Sequence, residues 1–184
     1  WTDDGINWNF DEARNITNNI PPDPRQEGAA SYSDTLRAYT THDIIFDAED
    51  NIHVVFDARL LRVQAIPAGN PPIDGLSLDY SYLFHWSEAS EEITAVADGW
   101  YTQAIEDENR EVIARPAPGA WRSNVCNPSL SYADNGDLYC VYNIYPIEDY
   151  SIRGRCNGDL AVTVSEDNGA TWYYPTMITE TFSG

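Results

Sequence analysis

The chain has 184 residues, of which 42% are hydrophobic, so it is long and apolar enough to form one ordinary domain. Its 30 acidic and 10 basic side chains give a net charge of −20, which argues against nucleic acid and anionic lipid as partners. There is no apolar run of about 18 residues, so no membrane insertion is expected. The acidic excess indicates a surface that stays soluble in salt, with divalent-cation binding as the alternative.

Two segments of the chain have the pattern of a β-hairpin and resemble each other. Residues 43–57 (DIIFDAEDNIHVVFD) and 128–143 (PSLSYADNGDLYCVYN) each contain an alternating strand, an acidic turn and a second alternating strand. Aligning them leaves one extra residue in the second turn. The alignment pairs Arg37 with Arg122, His42 with Asn127, Ile45 with Leu130, and Val55 with Val141.

Further strands extend each hairpin into a repeating unit. Residues 82–94 follow the first hairpin as residues 160–172 follow the second, so the unit has four strands. The N-terminal stretch WNFDEARNIT resembles WYYPTMIT near the end, which indicates the last strand of a preceding unit. The predicted organisation is therefore 1–20 (last strand of a preceding unit), 37–98 (first unit) and 122–181 (second unit).

The stretch SEDNGATW has the composition of a self-contained turn. Asp167 can accept hydrogen bonds from backbone amides of its own turn, and Gly169 supplies a positive φ. Thr171 is predicted to begin the next strand and Trp172 to cover the end of the hairpin. These roles are structural rather than catalytic. The full set is Ser165, Asp167, Gly169, Thr171 and Trp172, with a second copy at Asp3, Gly5 and Trp8.

These five residues match the Asp-box, or BNR repeat, and the chain resembles the sialidase-like β-propellers that many bacteria secrete. The resemblance implies an all-β fold of four-stranded antiparallel blades, about two of them plus a strand of a preceding one. It also implies an extracellular location, secreted or on the cell surface. Because a propeller closes only with about four to eight blades, remaining blades or other copies are expected as partners.

The resemblance places the Asp-box turns on one face of the propeller and ligand-binding loops on the other. The latter comprise residues 37–42, 59–76, 121–127 and 144–158. Since arginine holds carboxylates through paired hydrogen bonds, an anionic sugar is a plausible ligand class. Structural pairing with acidic neighbours, or a solvated surface, is the alternative. The ligand-binding candidates are Arg37, His42, Arg122, Glu148, Asp149, Tyr150, Arg153 and Arg155.

Three functions are compatible with the sequence. The favoured one is a non-catalytic module that binds a glycan or an extracellular protein. The alternative is a sialidase-like exo-glycoside hydrolase whose other catalytic residues lie outside this segment, although the Arg-Ile-Pro motif of sialidases is absent here. The third is a purely structural repeat. No catalytic residue can be assigned.

The three cysteines and the possible metal ligands give further expectations. The blade geometry that the resemblance implies places Cys126 and Cys156 at the same end of one blade, which predicts a disulfide and hence an oxidising compartment. Cys140 is predicted to be free and buried. His53 and His85 fall in strand patterns, and no metal-ligand spacing occurs, so no cofactor is expected. The acidic turns 47–51 and 133–137 leave Ca²⁺ as an alternative to ordinary hairpin turns.

Overall fold

The computed structural model describes residues 2, 4–11, 13–17, 36–64, 73–100, 105–106, 112–114, 123–146 and 149–180. Within these ranges the chain forms strands and turns and no helix, so the all-β prediction is confirmed. Consequently none of the described segments is a helix that could cross a membrane.

The first sheet contains four antiparallel strands in chain order. They are β1 (Leu36–Phe46), β2 (Ile52–Gln64), β3 (Ile73–Ser87) and β4 (Ile93–Trp100). A tight turn joins β1 to β2, with Asp50 at a φ of 63° and the Asp47 amide donating to the Asn51 carbonyl. The predicted hairpin is therefore present, and Phe46 pairs with Ile52 at its end.

The second sheet repeats this arrangement after a short two-stranded ribbon. The ribbon consists of β5 (Ile105–Glu106) and β6 (Val112–Ala114). The sheet consists of β7 (Val125–Tyr132), β8 (Leu138–Ile144), β9 (Asp159–Ser165) and β10 (Thr176–Met177), again hydrogen-bonded in chain order. The two four-stranded sheets thus have the same connectivity.

The predicted alignment of the two hairpins is wrong by one residue in the first strand. In the second turn the Ala133 amide donates to the Asp137 carbonyl, as Asp47 does to Asn51 in the first. Gly136 has positive φ at the place that Asp50 occupies. The two turns therefore have equal length, and equivalent hairpin residues are 86 apart, so that Leu130 corresponds to Ile44.

Two predicted boundaries also differ from the structure. Much of the expected loop 59–76 is strand, because β2 continues to Gln64 and β3 begins at Ile73. Thr171 does not begin the fourth strand of the second sheet. Its amide and its hydroxyl donate to Asp167 within the turn. Hydrogen bonding to β9 resumes at Tyr173, whose amide donates to the Val164 carbonyl, and β10 itself begins at Thr176.

The two sheets pack face to face, with their first strands in contact. Asp43 on β1 accepts a hydrogen bond of 2.8 Å from the Leu130 amide on β7. At the other end of β7, the Ser81 hydroxyl accepts from the amides of Asn124 and Val125 at 2.9 and 3.1 Å. These bonds join side chains of the first sheet to backbone amides of the second, so they fix the position of β7 along the first sheet.

A single core fills the space between the sheets. Its fully buried members come from both sheets and include Val55, Leu83, Val125, Cys140, Tyr142 and Ala161. A smaller cluster on the opposite face of the first sheet contains Phe56, Ala58 and Trp86, and Ile16 packs against it. The first sheet therefore has apolar side chains on both faces.

Candidate functional site

The turn between β9 and β10 is held by one carboxylate. Asp167 Oδ1 accepts hydrogen bonds from the Thr171 amide and the Ser165 hydroxyl, both at 2.8 Å, and Oδ2 accepts from the Thr171 hydroxyl at 2.6 Å. The bonds from Thr171 lower the pKa of Asp167 below its ordinary value. Gly169 has a φ of 87°, and its amide donates to Ser165 Oγ at 2.8 Å. Asp167 and Ser165 thus satisfy the amides of Thr171 and Gly169 within the turn.

A similar turn lies near the N-terminus, in which Asp4 is the acceptor. Asp3 lies outside the described residues. Asp4 accepts from the Asn7 amide at 2.8 Å and from the Asn7 side chain at 2.7 Å, as Asp167 accepts from Thr171. Hydrogen bonds from Asn7 and Ile6 hold the pKa of Asp4 far below its ordinary value. Gly5 has a φ of 70°, and Trp8 is exposed.

Four of the predicted ligand-binding residues lie on one ordered loop between β8 and β9. Asp149 and Asn157 close the loop through two hydrogen bonds of 2.8 Å. The Asn157 amide donates to the Asp149 carbonyl, and the Asn157 side chain donates to the Asp149 carboxylate. Tyr150 forms a β-bridge with Cys156. Ser151 and Arg155 share further backbone bonds. We call residues 149–157 the rim loop.

The tip of the rim loop carries an exposed cationic and apolar surface. Ile152 is fully exposed, and Arg153 and Arg155 are exposed beside it. Gly154 turns the tip with a φ of 70°. Neither guanidinium forms an ion pair with a carboxylate of the described residues. The loop therefore presents two arginines without an ion pair to the described carboxylates, on a chain of net charge −20.

The other described candidates, Arg37 and His42, lie on β1 of the first sheet. Arg37 pairs with Arg59 across β1 and β2, and Arg59 is buried with its guanidinium 5.5 Å from the Tyr39 ring centroid. His42 pairs with Phe56 on the opposite face of the sheet. Arg37 and His42 therefore lie on different faces. The two other predicted residues, Arg122 and Glu148, lie outside the described residues.

The backbone between Arg37 and His42 is irregular, and a cleft forms beside it. Asp57 is buried and accepts hydrogen bonds from the amides of Thr40 and Thr41 at 2.9 and 2.6 Å. This bulge places two extra residues of β1 opposite β2, so the alternation of faces along β1 is kept. The cleft, of about 220 Å³, is mostly apolar; its lining is Ile16, Thr17, Ala38, Tyr39, Thr40, Thr41, His42, Val54 and Phe56.

The predicted Cys126–Cys156 disulfide is wrong, because both cysteines are free thiols. Cys126 lies near the charges of Asp57 and Arg59 on the first sheet, whereas Cys156 belongs to the rim loop and lies near Asp149. Cys140 is free and fully buried, as predicted. Burial raises the pKa of Cys126 to about 11 and that of Cys140 to about 12. The prediction of an oxidising compartment, which depended on this disulfide, therefore has no support from the cysteines.

One cluster of titratable residues was not predicted as a unit. His53 and His85 are buried and hydrogen-bonded to each other at 2.8 Å, and His53 also contacts Asp47 at 3.3 Å. Each histidine occupies an ordinary strand position in the sequence, so only the strand pairing reveals the contact. Among the described residues, no group of three or more His, Cys, Asp or Glu side chains is arranged to hold a metal ion.

Comparison of the chain with models of known protein families, with curated proteins and with solved structures finds no match.

Proposed function

We propose that the chain is part of an extracellular, sialidase-like Asp-box β-propeller that binds an anionic glycan or an acidic extracellular protein and does not catalyse a reaction. Two four-stranded sheets of identical connectivity support this, because they stack through their first strands as neighbouring blades would. The hydrogen bonds of Asp167 and Thr171 also fit the structural role of an Asp-box.

The single observation that carries the binding proposal is the pair of exposed guanidiniums at the tip of the rim loop. Arg153 and Arg155 have no carboxylate partner among the described residues, although the chain contains 30 acidic residues. Backbone bonds and the Asp149–Asn157 contact hold the loop in place before a ligand binds. Preorganised arginines of this kind favour carboxylate, sulfate or phosphate groups.

Hydrolysis receives less support. A sialidase-like mechanism needs a tyrosine nucleophile assisted by a carboxylate. The tyrosine–carboxylate hydrogen bond among the described residues joins Tyr173 to Glu166 at 2.8 Å, beside the Asp-box turn rather than the rim loop. Glu166 raises the pKa of Tyr173, which disfavours the phenolate. Asp149 is engaged by Asn157.

The partners that complete the assembly are further sheets of the same kind, in the same polypeptide or in other copies. Leu130 is buried against the first sheet, whereas the equivalent Ile44 is 53% exposed and the neighbouring Phe46 is 61% exposed. If each sheet is covered as the second one is, another sheet lies over Ile44. Stacking of this kind is heterologous, so it produces rings or open arrays.

The proposal is tested on an array of sialylated, sulfated and neutral glycans, with hydrolysis of a fluorogenic sialoside measured on the same protein. We expect retention on the anionic glycans alone and loss of retention in the double variant R153A/R155A. R14A is the matched control, because it removes an exposed arginine that already pairs with Glu91 at 2.8 Å. Equal binding of neutral glycans, equal losses in both variants, or sialoside turnover would contradict the proposal.

A further inference from the structure

A buried hydrogen-bonded chain runs from the first hairpin turn to the middle of the first sheet. Asp47, His53 and His85 come from the β1–β2 turn, β2 and β3. Asp47 Oδ2 lies 3.3 Å from His53 Nε2, and His53 Nδ1 lies 2.8 Å from His85 Nε2. Both imidazoles are almost completely buried, and their rings are stacked with an interplanar angle of 19°.

The far end of this chain meets the Asp-box turn of the second sheet. The ring of His85 lies so close to Gly169 that a β-carbon there would overlap it. Trp172 meets His85 edge-on, with the ring centroids 5.5 Å apart. Beside it, the Thr94 hydroxyl of β4 donates a hydrogen bond of 2.6 Å to the Gly169 carbonyl. His85 is therefore part of the contact between the two sheets.

The hydrogen bonds assign the protons of the neutral pair. With Asp47 ionised, His53 donates from Nε2 to the carboxylate, and its Nδ1 accepts from His85 Nε2. Nδ1 of His85 then faces Gly169 and has no hydrogen-bond partner among the described residues. A second proton on His85 would put a positive charge at the sheet interface, separated from the Asp47 carboxylate by His53.

Few other charges face this position. Gly169, Trp172 and Thr94, which cover His85 from the second sheet and β4, are uncharged. Asp167 lies in the same turn, but its carboxylate is exposed and accepts from Ser165 and Thr171. Burial, followed by the charge of His53, lowers the pKa of His85 from 6.5 to about 4, and the Gly169 backbone opposes this shift.

We propose that the His53–His85 pair is an acid-sensitive latch that holds the residue 165–172 turn on the first sheet while His85 is neutral and releases it when His85 gains a proton. The sign follows from linkage: a released His85 with an ordinary pKa binds the proton more tightly than the docked one. Docking is therefore fully stable above pH 6.5 and weakens as the pH falls from 6.5 towards 4. At pH 5 the ratio of docked to released turn falls roughly 30-fold.

Hydrogen exchange on the full chain tests the latch. After correction for the intrinsic pH dependence of exchange, the protection of the amide of Gly169, which is buried against His85, should fall roughly 30-fold between pH 7.5 and 5. H85Q keeps an amide donor towards His53 but does not titrate in this range, so its protection should stay constant. H42Q, at an exposed histidine, is the control and should behave as the wild type does.

A decline in protection that is as large in H85Q as in the wild type would overturn the proposal. If H85Q does not fold, the imidazole ¹⁵N shifts of the wild type replace it as the test. A His85 midpoint well below 6.5, accompanied by exchange broadening of Gly169, supports the latch. A midpoint near 6.5 for His85 overturns it.

Discussion

The carboxylate of Asp43 accepts a hydrogen bond from the backbone amide of Leu130 at 2.8 Å, and the two residues belong to the first strands of different sheets. The same oxygen accepts from the Ser129 hydroxyl at 3.2 Å. Ser129 is the residue equivalent to Asp43 in the second hairpin, 86 positions later. Asp43 therefore joins the two repeats by binding Ser129, the residue that corresponds to it in the second repeat, and the neighbouring Leu130.

Replacing Asp43 with alanine should weaken the contact between the sheets. It leaves the Leu130 amide without its acceptor, which we expect to lower the free energy of unfolding by about 1–2 kcal/mol. Urea denaturation followed by tryptophan fluorescence measures the change. D134A removes an exposed acid from a turn and should change stability by less than about 0.5 kcal/mol. Equal effects of the two substitutions would show that Asp43 does not join the sheets.

The Asp-box turn should depend on Asp167. D167A removes the acceptor of three hydrogen bonds and should cost about 1–3 kcal/mol of stability. Because the pKa of Asp167 is lowered in the folded chain, its contribution is complete above the ordinary carboxyl pKa of 3.8 and declines as the pH falls below it. Thermal melts of wild type and D167A should therefore converge in acid. Parallel melting curves down to pH 2 would contradict this role.

Two glycines with positive φ offer a matched comparison. G154A places a methyl group in open space at the rim-loop tip, so it bears only the backbone cost of about 1 kcal/mol. G169A has a similar backbone cost and also overlaps the His85 ring, so its loss of stability should be several times larger. Calorimetric unfolding of both variants measures the difference. Equal losses would place Gly169 away from the first sheet.

All three thiols should be present and slow to react. Burial raises the pKa of each cysteine, so the thiolate is scarce at neutral pH. In guanidinium without reductant, iodoacetamide should add three groups to every chain, as mass spectrometry can count. Only one addition before reduction, followed by three after it, would restore the Cys126–Cys156 disulfide.

The strand pairs of both hairpins were predictable because the alternation of apolar residues and the Asn- and Gly-containing turns are local signals. The alignment of the first hairpin with the second was not predictable, because Ile44 and Ile45 are both apolar and either one matches Leu130. The alignment is fixed by the turns, through the positive φ shared by Asp50 and Gly136 and the matching bonds of Asp47 and Ala133.

Long-range contacts set the rest of the candidate site. The bulge between Arg37 and His42 depends on Asp57, 15 residues after His42. The His53–His85 contact depends on the pairing of β2 with β3. Residue types and spacings in the sequence carry none of this information.

The most direct test of the binding account is the affinity of the chain for a sialylated glycan, measured by isothermal titration calorimetry at several salt concentrations. The account predicts that affinity falls as salt rises and is abolished in the charge-reversed variant R153E/R155E, while the neutral desialylated glycan does not bind. Binding that is insensitive to salt, or that survives charge reversal of the rim loop, would contradict it.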